Sequence, residues 1–162
     1  MIPIEFQMLP DLRPPTPDSS GLWMVRHEWR APALDSMQVV VRAATPMPDG
    51  TMAAFWTDGI SDPRLFWTVT GLHPFAMPFL RAALPHDFVY AAELAPRAQC
   101  DDWMLRWAQM GETNWYQRNT AWSAVRAGGW RVWGEHTQHS IAEARKVVQL
   151  VPVGEPVIWE KL

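Results

Sequence analysis

The sequence predicts an α+β fold with a mainly antiparallel sheet and about three helices. Two patterns carry this prediction. Short β-branched or aromatic segments separated by turns fill the chain up to residue 71, and apolar residues at helical spacing follow further along. The 162 residues amount to one ordinary domain. We therefore expect a Pro-rich extended arm over residues 1–20 and a single globular domain over residues 21–162.

The N-terminal part of the domain predicts an antiparallel meander, because its apolar segments are short and the loops between them are brief. The turn signal Asp49-Gly50 lies between two of these segments and predicts a hairpin over residues 37–57. The four predicted strands are residues 22–30, 37–44, 51–57 and 65–71.

The middle of the chain predicts two helices with a strand between them. A short helix over residues 78–84 is expected to stop at Pro85, and residues 87–94 are typical of a strand. The clearest helix covers residues 98–110, where apolar side chains recur at helical spacing. The stripe that we expect to face the core consists of Cys100, Trp103, Trp107 and Met110.

The C-terminal third predicts a second hairpin, a helix and a last strand. Residues 120–126 and 130–136 alternate around Gly128-Gly129, which is typical of two strands joined by a tight turn. Ser140 is followed three residues later by an acid, which is a capping-box pattern for a helix reaching about Leu150. Residues 156–161 complete the prediction as a strand.

Composition excludes several classes of function. The net charge of −3 provides no basic excess for binding many phosphates, so nucleic-acid binding is not expected. The one cysteine, Cys100, excludes an internal disulfide, and no secretory signal or membrane-spanning segment is recognisable. Glycine-rich phosphate loops are absent from the sequence. We expect a cytoplasmic protein with no cofactor and no membrane contact.

The densest polar segment surrounds two histidines three residues apart. His136 and His139 stand beside Glu135, and imidazoles bind transition metals or transfer protons near neutral pH. This spacing aligns two ligands only within a helix, whereas the predicted position is a junction between a strand and a helix. A polar loop that caps the following helix is the favoured interpretation, and a metal or acid–base site is the alternative.

Tryptophan is the most unusual feature of the composition, with eleven residues. Each ring buries about 150–250 Å² when it is packed, so eleven rings overfill one small core and some are expected on the surface. Exposed Trp and Arg are enriched at binding hot spots, and the twelve arginines favour Arg–Trp stacking. The candidate partner-binding residues are Trp115, Tyr116, Arg118, Trp130 and Trp133.

These observations favour a non-enzymatic module that binds another protein, such as a small inhibitor, adaptor or immunity-type protein. By analogy of size and class alone, such modules are often encoded by phages or mobile elements. A small enzyme or ligand-binding domain, with an aromatic pocket and His136 and His139 as its polar groups, is one alternative. A subunit that assembles with copies of itself is the other.

Overall fold

A computed structural model describes residues 9–14, 22–57 and 77–159 of the chain. In these residues, eight short strands and four helices form an α+β fold whose strand pairs are antiparallel, as predicted. The strands are β1 (Leu12–Arg13), β2 (Trp23–Val25), β3 (Trp29–Arg30), β4 (Met37–Val41), β5 (Thr45–Pro46), β6 (Met52–Ala53), β7 (Trp56–Thr57) and β8 (Val148–Pro152). The helices are α1 (Met77–Ala91), α2 (Arg97–Met110), α3 (Trp115–Gly134) and α4 (Gln138–Val147).

The strands are arranged in two small sheets and a separate hairpin, rather than in the predicted four-strand meander. One sheet has the order β1-β2-β7, a second has the order β3-β4-β8, and β5 pairs with β6. The predicted strand 22–30 is therefore divided between two sheets. Arg26 still belongs to the first ladder, since its N–H donates to the carbonyl of Asp11 at 2.9 Å, and the chain then continues to β3, which pairs with β4.

Strand β4 is the centre of the second sheet. It pairs over its full length with β8, from Met37 opposite Pro152 to Val41 opposite Val148. A tight turn precedes β4 at Asp35 and Ser36, which both have positive φ, the backbone conformation of a type I′ hairpin turn. The turn carries no clear signal in the sequence, because neither residue is a glycine.

The turn at Asp49-Gly50 is present, but it joins β5 to β6 and not the two predicted longer strands. Gly50 has φ of +84°, a conformation that favours glycine. Strand β4 ends at Val41, and its neighbours are β3 and β8. The predicted 37–57 hairpin is therefore wrong in its strands and right in the position of its turn.

Helix α1 corrects two predictions. It continues through Pro85, and the predicted strand 87–94 is its second half up to Ala91, followed by the helix end. β-branched and aromatic residues, including Val89 and Tyr90, favoured a strand at this point, but burial of this segment among the other elements stabilises a helix instead. Helix α2 agrees with its prediction to within one residue.

Helix α3 replaces the predicted hairpin of residues 120–126 and 130–136. Gly128 and Gly129, interpreted as its turn, lie inside the helix. The helix begins at the N-cap Asn114, whose side chain accepts a hydrogen bond from the N–H of Gln117 at 2.9 Å. Trp130 and Trp133, which belong to the predicted strand 130–136, are instead neighbours at helical spacing.

Helix α4 starts three residues before its predicted start. Its capping box is formed by Thr137 as the N-cap and Ser140 as the third helical residue. The helix ends at Val147, where β8 begins, so the segment expected to be helical to Leu150 turns into a strand. Of the predicted strand 156–161, residues 156–159 form no strand, and the last two residues lie outside the described part of the chain.

The core lies between β4 and the first two helices. Its largest fully buried side chains include Trp107, Phe79, Phe88 and Leu84. The stripe predicted on residues 98–110 is confirmed, since Cys100, Trp103 and Trp107 are buried and Met110 packs against the core. Trp107 also satisfies its indole N–H, which donates to the carbonyl of Pro32 at 2.9 Å.

The predicted strand 65–71, Trp67 and most of the Pro-rich arm lie outside the described residues. Of the arm, Leu12 and Arg13 form β1 and pair with β2. None of the helices in the described parts of the chain has the length and apolar character needed to cross a membrane.

Candidate functional site

Helix α3 packs on the domain with one fully buried residue and a partly buried apolar stripe. Its 20 residues extend over about 30 Å, and Ala121 is the one buried residue among them. Trp122, Val125 and Trp133 are half-buried and pack against the core beside it. Further contacts add to this packing.

Those contacts are hydrogen bonds from neighbouring helices to backbone carbonyls of α3. The hydroxyl of Tyr90 on α1 donates to the carbonyl oxygen of Gly129, at 2.6 Å. Nη1 of Arg97 on α2 lies 3.3 Å from the carbonyl oxygen of Val125 and 3.2 Å from that of Arg126. These bonds fix one side of α3 against α1 and α2.

Gly129 is required by the closeness of this contact. A Cβ atom at this position would lie 2.6 Å from the Tyr90 hydroxyl oxygen, whereas a Cβ at Gly128 would meet nothing within 4 Å. The two adjacent glycines thus have different roles. Gly129 allows α1 to approach the α3 backbone, and Gly128 faces open space.

A buried charged cluster, formed by His86, Arg97, Asp101 and Arg126, lies beneath α3. The Asp101 side chain is fully buried. Its Oδ2 lies 3.3 Å from Nη1 of Arg97 and 3.5 Å from Nη1 of Arg126, and its Oδ1 lies 3.4 Å from Nε2 of His86. We call this group the Asp101 cluster, and it connects α1, α2 and α3 through one carboxylate.

The Asp101 cluster pairs each of its cationic or imidazole groups with a carboxylate. Nε2 of His86 faces Asp101 at 3.4 Å, and its Nδ1 faces the Asp87 carboxylate at 3.9 Å. Arg126 has a second partner in Asp102, at 2.8 Å. The carboxylates balance the two guanidinium charges, which is the condition for burying such groups.

The burial of Asp101 is not among the predictions made from the sequence. The available signal was its spacing, because Asp101, Met104 and Ala108 recur at steps of three and four on the buried side of α2. A carboxylate in an apolar stripe requires buried partners. Arg97, four residues earlier, is one of them.

Two groups near the cluster have raised pKa values. Burial, with a smaller contribution from the Asp101 charge, raises the pKa of Tyr90 to about 12. Burial also raises the pKa of the Cys100 thiol to about 12. Both groups remain protonated at neutral pH, so Cys100 is not an activated nucleophile.

His136 lies at the end of α3 in an aromatic environment. Its Nδ1 lies 3.0 Å from Oε1 of Glu93, and its ring packs 5.8 Å from Tyr90 and 5.7 Å from Trp133. Glu93 has a positive φ of 44° at the end of α1, which is unusual for a residue with a side chain. The His136 ring nitrogen thus has a carboxylate partner from a distant part of the chain, and not from the adjacent Glu135.

The structure does not bring His136 and His139 together as a pair of ligands. His139 is exposed in the first turn of α4, and Glu135 lies 3.5 Å from Arg131. In the described parts of the chain, no group of three or more His, Cys, Asp or Glu residues is placed to hold a metal ion.

All five predicted partner-binding residues lie on α3. Trp115, Tyr116 and Trp130 are exposed, at 68%, 54% and 67% of their surface. Trp133 is half-buried, and its ring packs at 4.7 Å against Tyr90. Arg118 is also half-buried and donates to the carbonyl oxygen of Thr113, at 3.1 Å.

The predicted Arg–Trp stacking occurs at two places. The guanidinium of Arg126 lies 5.2 Å from the ring centroid of Trp122, and that of Arg42 lies 5.6 Å from the ring of Trp159. The Trp122 indole N–H also donates to Asp102, at 3.1 Å. The Arg126–Trp122 stacking is therefore within α3, and both side chains attach α3 to α2 through Asp102, next to the Asp101 cluster.

The side of α3 that points away from α1 and α2 has little charge. Its residues follow one another at alternating steps of four and three, which places them on one stripe of the helix. We call this stripe the outer face of α3, and it consists of Tyr116, Thr120, Ser123, Ala127, Trp130 and Gly134. Thr120 is half-buried and the other five are exposed.

Comparison with known proteins identifies one family. The sequence model of the family described as "Protein of unknown function (DUF1353)" matches residues 38–125. This span begins in β4 and ends within α3, so it includes His86, Arg97 and Asp101. No curated protein and no solved structure matches the chain significantly.

Proposed function

The chain belongs to the DUF1353 family, and because that family has no established function, we propose a function from the geometry: a protein-binding module that docks through α3. The observation that carries the proposal is the exposure of Trp115 and Trp130, at 68% and 67%, on one helix. A tryptophan leaves roughly 100–170 Å² in water at such exposure, which is costly unless a partner covers it.

The surroundings of these two rings also support docking. Hydrogen bonds to backbone carbonyls and the packing of Trp122, Val125 and Trp133 against the core hold α3 in place, so the exposed rings are presented by a fixed helix. A partner that binds a preformed surface loses less conformational entropy than one that must order it. Trp133 and Arg118, which are half-buried, contribute by supporting the helix beside the exposed rings.

A position-specific cross-linking experiment tests the proposal. A photoreactive benzoylphenylalanine replaces Trp130 in the full chain, which is expressed in its native cells and irradiated. The same amino acid at Ala142, which is exposed on α4, is the matched control. We expect a discrete adduct of higher mass from position 130 and none from position 142.

The affinity of the captured partner provides the second measurement. Replacing Trp130 with Ala is expected to weaken binding by about 30-fold, the effect of losing a hot-spot residue worth about 2 kcal/mol. The fold should be unchanged, because this ring is mostly in water. The proposal would be contradicted if no adduct formed at position 130, or if adducts were equally abundant at position 142.

A small ligand-binding domain is a second candidate, favoured by the His136–Glu93 pair within an aromatic cluster. The carboxylate at 3.0 Å fixes the imidazole through Nδ1 and leaves the other ring nitrogen for a ligand. Thermal-shift screening of a fragment library against the native chain and His136→Phe tests this candidate. A fragment that stabilises only the native chain supports it, and a screen without such a fragment argues against it.

A further inference from the structure

The outer face of α3 differs from the solvent side of an ordinary surface helix. The solvent side of an amphipathic helix carries charged side chains. Here none of the six outer-face residues is charged, and two of them are large aromatic residues that are more than half exposed, Tyr116 and Trp130. The nearest charge on this side, Arg131, lies 3.5 Å from Glu135 of the same chain.

The order of large and small residues along this face is self-complementary. In an antiparallel arrangement with a second α3, centred between Ser123 and Ala127, every large outer-face residue meets a small or medium-sized one. The facing pairs are Trp130 with Thr120, Tyr116 with Gly134, and Ser123 with Ala127. A parallel arrangement would instead place Trp130 against Trp130 and Tyr116 against Tyr116, which separates the helices.

We propose that the outer face of α3 is a homodimer interface in which two copies pair their α3 helices antiparallel about a two-fold axis. This inference rests on the proposed docking role of α3 and names a second copy of this chain as the occupant. A two-fold interface requires a surface that is complementary to itself, and the alternation of ring and small residue provides it.

Charge is consistent with this arrangement. A second copy brings a neutral face to a neutral face, so no like charges are forced together. The antiparallel direction also places Glu135 of one copy near the N-terminus of α3 in the other, where a carboxylate is favourable. The macrodipoles of the two helices are then oppositely directed.

The available area predicts a reversible dimer. Tyr116 and Trp130, the two large outer-face residues, leave roughly 180–300 Å² in water, and the small residues between them add more. A standard interface buries about 800 Å² on each partner. One pair of α3 helices falls below that size, so we expect weak association that depends on concentration.

Sedimentation velocity of the full chain, over a series from micromolar to nearly millimolar, tests the proposal. The native chain is expected to change from monomer to dimer within the series. Ala127→Glu places a carboxylate at the centre of the interface and is expected to raise the dissociation constant by at least about tenfold. Ala142→Glu makes the same change on the exposed side of α4 and should sediment like the native chain.

A second charge separates the antiparallel arrangement from others. When Ser123→Lys is combined with Ala127→Glu, the new ammonium group of one copy lies opposite the new carboxylate of the other, so dimerisation should return. In a parallel pair the same two changes place like charges together, and association would remain weak. Both positions are exposed and helical, so circular dichroism should be unchanged in every variant.

A chain that is monomeric throughout the series, or a dimer that tolerates Ala127→Glu, would overturn the homodimer. The cross-linking experiment separates this failure from failure of the docking function. An adduct between position 130 and a different protein would leave α3 as a docking helix with another occupant. An adduct between two copies, abolished by Ala127→Glu, is the result expected here.

Discussion

Removing the buried carboxylate of Asp101 should destabilise the protein strongly. The carboxylate is fully buried and lies 3.3–3.5 Å from three groups on His86, Arg97 and Arg126. Breaking a buried ion pair costs about 3–5 kcal/mol, because the remaining charges lose their partner. Asp101→Ala leaves two guanidinium groups facing a small apolar space.

The expected cost of Asp101→Ala lies at the lower end of the range of about 3–5 kcal/mol for a broken buried ion pair. The side chains of Arg97 and Arg126 are 25% and 31% exposed, so water screens part of their charge. Arg97 also keeps its carbonyl acceptors on α3, and Arg126 keeps Asp102 at 2.8 Å. We therefore expect Asp101→Ala to lower the free energy of unfolding by about 3 kcal/mol. For a domain of this size, the melting temperature falls by about 6–12 °C.

The adjacent residue is the matched control. The Asp102 side chain is 55% exposed, and its ion pair with Arg126 is at the surface. Exposed pairs contribute about 0–1 kcal/mol, so Asp102→Ala should have a small effect. Urea unfolding followed by tryptophan emission measures both variants. The reasoning would be refuted if Asp101→Ala cost no more than Asp102→Ala with an unchanged denaturant slope.

Three further outcomes are expected from turns, glycines and titrating groups. Gly129→Ala should lower the free energy of unfolding by about 1–3 kcal/mol, because the new Cβ clashes with Tyr90. Gly128→Ala should raise it by up to about 1 kcal/mol, because Ala is a better helix former and its Cβ meets open space. Thermal melting of both variants checks the opposite signs. Ser36→Gly should raise the unfolding free energy by about 0.5–1 kcal/mol, because its φ of 64° favours glycine, and urea titration measures this. The pKa values of Cys100 and Tyr90 are about 12 in the folded protein, whereas the unfolded thiol and hydroxyl have pKa values of 9.0 and 10.0. The unfolded state therefore loses these protons first as the pH rises. The free energy of unfolding should be constant with respect to these two groups below pH 9 and should fall as the pH rises towards 12. Unfolding titrations between pH 8 and 11 test this, and a flat profile would contradict it.

The elements that the sequence predicts well are those whose local pattern agrees with their packing. Helix α2 is the example, because Cys100, Trp103 and Trp107 repeat at helical spacing and also face the core. The α+β class follows from the same agreement in β4, whose consecutive valines are buried. In such segments, local preference and tertiary contact favour one conformation.

The helix α3 was missed because its local sequence contradicts its environment. Two glycines flanked by Trp and Val favour a hairpin, and nothing in the sequence shows that Tyr90, about forty residues earlier, needs space beside Gly129. The Asp101 cluster was missed for a similar reason, because its four residues come from three helices. Trp115, Tyr116 and Trp130 are exposed, and they lie on a helix and not on the predicted hairpin or beside it. Their role in binding a partner stays a prediction.

The hydrogen bonds to the backbone of α3 have a consequence for how this chain can change. The hydrogen bonds to the carbonyls of Val125, Arg126 and Gly129 are made to backbone atoms, so they do not depend on the side chains of the outer face. Gly129 itself must stay a glycine. Substitutions on the outer face therefore leave the scaffold intact. Natural or designed substitutions can therefore change the binding properties of that face while the fold of the domain beneath it stays the same.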